Sequence, residues 1–171
     1  IEIIVPESIK YLSEWTELWS ILPKNEHIIL DKKICGCGAT EMFINSGKKI
    51  ILAAPRKQLL FNKYSQHLRD NFHLFRYMGD KKRYFEGITT PGEMITIKSN
   101  LYDYIQKGGQ VILTPYDSLG YVVEQIKQCG LSVDDWIVVV DEFQGIFNDC
   151  QFKPVTEYEL YRTLQEFQSV V

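Results

Sequence analysis

The sequence predicts an α/β domain with a central, mainly parallel β-sheet covered by helices on both faces. Three observations predict it. Short β-branched and aliphatic runs alternate along the chain with stretches of helical periodicity, the pattern of consecutive βαβ units. The run Trp136-Ile137-Val138-Val139-Val140 is apolar at every position, as a strand buried on both sides must be. The chain has 171 residues, 45% of them hydrophobic, and neither an internal repeat nor a linker-like tract divides it. One domain spanning residues 1–171 is therefore expected.

The elements follow in order. Ile1 to Val5 is an apolar, β-branched run. Ser8 is a plausible N-cap for a helical segment that spaces Ile9, Leu12, Trp15, Trp19 and Leu22 along one face, with both tryptophans in the core. Pro23-Lys24-Asn25 breaks it, so residues 1–26 read as an N-terminal strand-and-helix extension. His27 to Asp31 reads as a buried strand. A Gly-rich turn leads into a helix from Ala39 to Asn45, stopped by Gly47. Lys49 to Ala54 is the next strand, ended by Pro55, and Leu59, Leu60, Tyr64 and Leu68 mark a helix from Lys57 to Arg69. Phe72 to Met78 suits a strand, and Gly79 to Glu86 a solvated basic loop containing Lys81, Lys82 and Arg83. Residues 89–99 carry no clear periodicity. Asn100 caps a short helix through Lys107, closed by Gly108 and Gly109. Gln110 to Thr114 is a strand, Ser118 to Gln128 a helix, Trp136 to Val140 a strand and Thr156 to Gln168 a helix. Ser169 to Val171 begins one more strand.

Composition excludes several classes. Lys plus Arg is 19 and Asp plus Glu 22, a net charge of −3, so no bulk basic charge announces nucleic-acid binding. Apolar runs fall short of the roughly 18 residues a membrane span needs, and Ile1 to Lys10 do not form a signal peptide. The four cysteines, Cys35, Cys37, Cys129 and Cys150, lack zinc-site spacing and read as free thiols of a cytoplasmic protein.

Two segments carry candidate chemistry. Lys32-Lys33-Ile34-Cys35-Gly36-Cys37-Gly38-Ala39-Thr40 follows a strand and opens a helix. There, glycines let backbone N–H groups approach an anion, and the helix N-terminus adds partial positive charge. Against the usual phosphate loop, G-x-x-x-x-G-K-[ST], it keeps the last Gly and the hydroxyl, but Ala39 stands in the lysine position. Asp141-Glu142-Phe143-Gln144 follows Val138-Val139-Val140 and so stands at the C-terminal end of a strand, the ligand edge of an open α/β sheet. Asp141 suits Mg²⁺, which prefers oxygen ligands. Glu142 is placed to orient or deprotonate an attacking water.

Together these segments resemble the Walker A and Walker B motifs of P-loop NTPases. Asp141-Glu142-Phe143-Gln144 is similar to the D-E-x-[HQ] box of superfamily 2 helicases and translocases. Ala54-Pro55-Arg56-Lys57-Gln58-Leu59 resembles the A-P-[TR]-x-x-L segment that grips a nucleic-acid backbone in that family. The segment from Val111 to Leu119, which includes Thr114-Pro115-Tyr116 and Ser118-Leu119, resembles a later strand-end segment that also touches the bound strand. The resemblance covers the chain from His27 onward, and the G-x-G-A-T form of the loop looks like that of phage and mobile-element helicase-like proteins.

It implies a three-layer RecA-like fold and ATP and Mg²⁺ as cofactors. Lys32, Lys33, Gly36, Cys37, Gly38, Ala39, Thr40 and Glu41 would lie at the nucleotide, with Lys32 or Lys33 replacing the loop lysine. Thr40 and Asp141 would hold the metal, and Glu142 and Gln144 would serve catalysis. Arg56, Lys57, Thr114 and Tyr116 would contact DNA or RNA, as a single strand. It also implies a partner, a C-terminal RecA-like domain that closes the cleft, without which this first motor domain would bind nucleotide weakly and turn over little. The other reading is a catalytically degenerate module that keeps the fold for protein or nucleic-acid contacts.

Overall fold

The computed structural model describes residues 4–15, 17–23, 25–31, 36–67, 72–74, 100–143 and 154–171, with side chains in the last stretch from residue 158. Its five strands are β1 (Ile50–Ala54), β2 (Phe72–Leu74), β3 (Val111–Pro115), β4 (Ile137–Val140) and β5 (Ser169–Val170). They form one sheet in the order β2-β3-β1-β4-β5, and every neighbouring pair is parallel. In register, Leu52 of β1 lies between Leu113 of β3 and Val139 of β4.

The helices are α1 (Leu18–Ile21), α2 (Ala39–Ile44), α3 (Lys57–Gln66), α4 (residues 100–106), α5 (Leu119–Gln128) and α6 (Pro154–Leu164). Successive strand residues point to opposite faces, and this splits the core in two. Ile51, Ile112, Val138 and Val140 pack with Leu101, Val122, Ile126, Leu160 and Leu164 of α4, α5 and α6. Ile50, Leu52, Leu113 and Val139 pack with Leu18, Phe43 and Leu60 of α1, α2 and α3. The result is three layers, helices–sheet–helices, and it explains why β1, β3 and β4 are apolar almost throughout: both faces of each strand are covered.

The strand order also sets where a crevice opens. From β1 the chain leaves through α3 toward β2 at one edge, whereas from β4 it leaves through α6 toward β5 at the other. β1 and β4 are neighbours, so their connections diverge and open a crevice at their C-terminal ends.

Three expected elements differ. The single helix from Ser8 to Leu22 is instead a one-turn 3₁₀-helix at Leu12–Glu14 followed by the four-residue α1. The segment is tied to the glycine loop rather than wound on itself: the Leu12 N–H donates to the Cys37 carbonyl at 2.7 Å. Trp15 and Leu18 are nonetheless buried, as expected. The stretch His27 to Asp31 is not a buried strand. Only His27 forms a parallel bridge, to Val170, and Ile29 is 82% exposed. Of the expected N-terminal strand, residues 1–3 lie outside the described residues, and Ile4 and Val5 are exposed and in no strand. The other elements lie within a few residues of their expected limits. The expected basic loop at 79–86, and residues 75–78 of the expected strand, lie outside the described residues. Cys37 and Cys129 are free thiols, while Cys35 and Cys150 are likewise outside. Among the described residues, no helix is long and apolar enough to cross a membrane.

Candidate functional site

The glycine loop forms because its backbone needs the left-handed region. Gly36 has φ +73° and Gly38 has φ +79°, and Gly38 is the N-cap of α2. A side chain at Gly38 meets a second obstacle. Its Cβ would lie 3.1 Å from Ser13 Oγ and 3.2 Å from Tyr11 Cβ, because the 3₁₀ turn rests on the loop there, whereas Gly36 has open space around it. Gly36→Ala should therefore cost only the left-handed penalty of about 1–2 kcal/mol. Gly38→Ala should cost measurably more in denaturant unfolding. Equal losses would show that the N-terminal turn does not press on the loop.

Thr40, the second residue of α2, directs its hydroxyl toward β4 and donates to Asp141 Oδ2 at 3.3 Å. The two residues are 101 positions apart in sequence. Asp141 leaves the end of β4 with its N–H on the Ala53 carbonyl at 2.9 Å, which locks it to the end of β1. The Tyr116 hydroxyl donates to the Asp141 backbone carbonyl from the 3₁₀ turn after β3. Burial, with the Asp141 and Glu142 carboxylates beside it, pushes the Tyr116 phenol well above its ordinary value, so it stays a neutral donor. The Glu142 N–H donates to Asp141 Oδ1 at 3.1 Å.

Glu142 itself adopts φ +58°, a conformation uncommon for a residue with a side chain and one that gathers at functional sites. It lines a cavity of about 360 Å³ along α3, with Arg56, Gln58, Leu59, Asn62, Lys63 and Gln66. A larger cavity, about 520 Å³, opens at the opposite edge of the sheet among Trp19, Lys48, Lys49, Asp134 and Asp135. It contains none of the candidate nucleotide, metal, catalytic or nucleic-acid residues.

The structure thus brings Gly36, Cys37, Gly38, Ala39 and Thr40 to one side of Asp141, and Glu142 and Arg56 together on the cavity wall. Other expected site residues stand differently. Ala39 is buried and carries no cation. Glu41 faces α3 instead of the loop mouth: Lys63 and His67 both pair with its carboxylate, His67 Nε2 at 3.1 Å, and Asn45 Nδ2 donates to it at 3.4 Å. Burial raises the Glu41 carboxyl, but the Lys63 ammonium and the contact with His67 outweigh it and hold the group below its ordinary value. Of the four residues expected on nucleic acid, Arg56 is exposed and Lys57 half-buried. Thr114 is fully buried with its hydroxyl on the Pro115 carbonyl, so in this conformation it touches no bound strand, and Tyr116 supports the acid pair from within. Lys32, Lys33 and Gln144 lie outside the described residues.

The Glu41–Lys63–His67 cluster is the feature that sequence reasoning missed. Its only trace was the i,i+4 spacing of Lys63 and His67, which sets two cationic groups on one side of α3. Compared with protein-family models, curated proteins and solved structures, the chain gives no match.

Proposed function

We propose that this chain is the ATP-binding, RecA-like N-terminal motor domain of a nucleic-acid helicase or translocase, in which hydrolysis waits for a second domain to close the cleft. One observation carries the reading: the Thr40 hydroxyl, at the start of α2, and the Asp141 carboxylate, just past the C-terminal end of β4, meet at 3.3 Å from opposite halves of the chain. On this reading the glycine loop before Thr40 would serve phosphate binding, and the acid after Asp141 water activation.

The donor set fits magnesium. A hydroxyl and a carboxylate are two hard oxygen donors, and Mg²⁺ takes one or two protein oxygens while completing its shell with waters and phosphates. Among the described residues no three His, Cys, Asp or Glu side chains converge into a closed metal cage. When bound, magnesium would neutralise phosphate charge. The chain's own residues do the rest. Amides around Gly36 and Gly38 would serve the phosphates. The Ala53 and Tyr116 hydrogen bonds hold the Asp141 backbone, and the Thr40 hydroxyl is held by its bond to the Asp141 carboxylate. Glu142, turned onto the cavity wall by its left-handed backbone, orients a water and accepts its proton. Arg56, exposed at the same edge, suits a nucleic-acid phosphate.

Titration of the chain with ATP, with and without Mg²⁺, tests this. Wild type should bind more tightly with Mg²⁺, and Asp141→Asn should lose that difference, by about 10- to 100-fold. Binding that is indifferent to Mg²⁺ in both proteins would reject the reading. The buried Ala39 favours the second reading, a binding module without turnover. It predicts ATP affinity without hydrolysis even when a second domain and nucleic acid are supplied.

A further inference from the structure

A polyphosphate needs a cation, and the loop position that would supply one holds buried Ala39. We propose that Lys63 of α3 is the lysine that meets the phosphates, and that Glu41 holds it in reserve when the site is empty. This rests on the nucleotide reading above and adds to it the source of the missing charge.

Three observations support it. First, Lys63 reaches across from α3 to α2 and pairs with Glu41, the residue directly after Thr40, so its ammonium already lies beside the helix that carries the metal-binding hydroxyl. Second, Lys63 lines the same cavity as Arg56 and Glu142, the acid that follows Asp141. Third, Glu41 is provided with more partners than one carboxylate requires. If Lys63 leaves, His67 Nε2 at 3.1 Å and Asn45 Nδ2 at 3.4 Å remain. The exchange therefore strands no buried charge, which is the usual obstacle to breaking an ion pair of this kind.

Lysine suits such a transfer. It is a compact charge on a flexible four-carbon stem with three rotatable donors, able to leave one anion for another without reshaping the helix. The Lys63 side chain is 22% exposed, held but not sealed in. A γ-phosphate or β-phosphate oxygen carries more charge than one carboxylate already shared with an imidazole, so phosphate should win the ammonium when present.

The test compares MgATP and magnesium tripolyphosphate binding by calorimetry in wild type, Lys63→Met, Glu41→Gln and Asp141→Asn, with thermal unfolding recorded for each. The expected result is about tenfold or greater weakening of both ligands in Lys63→Met. Glu41→Gln, which frees the ammonium, should bind both ligands severalfold more tightly. Wild-type affinity in Lys63→Met, with binding lost in Asp141→Asn, would overturn the role of Lys63 and leave the nucleotide reading intact. The same holds if Lys32→Ala or Lys33→Ala abolishes binding while Lys63→Met does not. Weaker or unchanged binding in a folded Glu41→Gln would overturn the reserve role. Failure of wild type to bind either ligand would overturn the nucleotide reading itself.

Discussion

Replacing Glu142 with Gln is expected to lower ATP hydrolysis by about 10²- to 10⁴-fold, the usual contribution of a positioned general base. The measurement uses nucleic acid and a second RecA-like domain to close the cleft, since lid closure assembles such sites. Affinity for MgATP should stay within about threefold, because Glu142 lines the cavity while the proposed metal oxygens are those of Thr40 and Asp141. Gln preserves size and most of the hydrogen bonding but has no basic oxygen to take a proton. The backbone at φ +58° is no more strained for Gln than for Glu, so stability should be unchanged. Loss of binding and hydrolysis in parallel would place Glu142 in ligand binding instead. Equal, low hydrolysis in both proteins would favour the module without turnover.

The second large effect concerns acid stability and His73 in β2. Its ring stacks on Tyr104 with centroids 5.1 Å apart, and burial lowers its pKa from 6.5 to about 4. In the unfolded chain the imidazole takes a proton near pH 6.5, whereas in the folded protein it refuses one until about pH 4. Between these values the unfolded state binds more protons, so stability falls as pH falls through that window, by about 3 kcal/mol in total. Above pH 6.5 the penalty is absent. Denaturant unfolding at pH 7 and pH 4 should show wild type losing about 3 kcal/mol more than His73→Phe, which keeps the aromatic stack and cannot titrate. Glu41 also sheds stability in acid, because its folded-state carboxyl is held below its ordinary value; that contribution is present above the unfolded pKa and lost as pH falls through the folded one. It is common to both proteins and cancels in the difference. Parallel losses would mean that His73 is protonated in the fold.

Much of this architecture was legible in the sequence, and the reason is burial. Strands covered on both faces must be apolar at nearly every position, so Lys49 to Ala54, Gln110 to Thr114 and Trp136 to Val140 stood out, each within one residue of β1, β3 and β4. Glycine and proline marked their ends. The approach of Thr40 to Asp141 could be expected from strand-end chemistry, but no local pattern encodes a contact across 101 residues.

The misreadings share a cause, tertiary contact overriding local periodicity. Trp15, Leu18 and Leu22 do face the core, which produced the helical pattern, yet the chain between them bends to place Leu12 against Cys37. His27 to Asp31 holds three consecutive apolar residues like a buried strand, but its bridge to Val170 is made at His27 alone, and beyond it Ile29 turns out to solvent. Thr114 was marked by its place at a strand end, where register rather than residue type decides exposure: it sits opposite Ala53, in the covered centre of the sheet. Glu41 was assigned to the loop by adjacency, and its partners on α3 could not be seen without the packing of α2 against that helix.

The most direct test of the central claim is a crystal structure of the chain with magnesium and a non-hydrolysable ATP analogue. The account predicts a metal at about 2.1 Å from Thr40 Oγ1, with Asp141 bound directly or through one water, and the triphosphate against Gly36 and Gly38. A nucleotide seated instead in the cavity beside Trp19 and Lys48, or at the β1–β4 crevice without contact to Thr40 and Asp141, would contradict it.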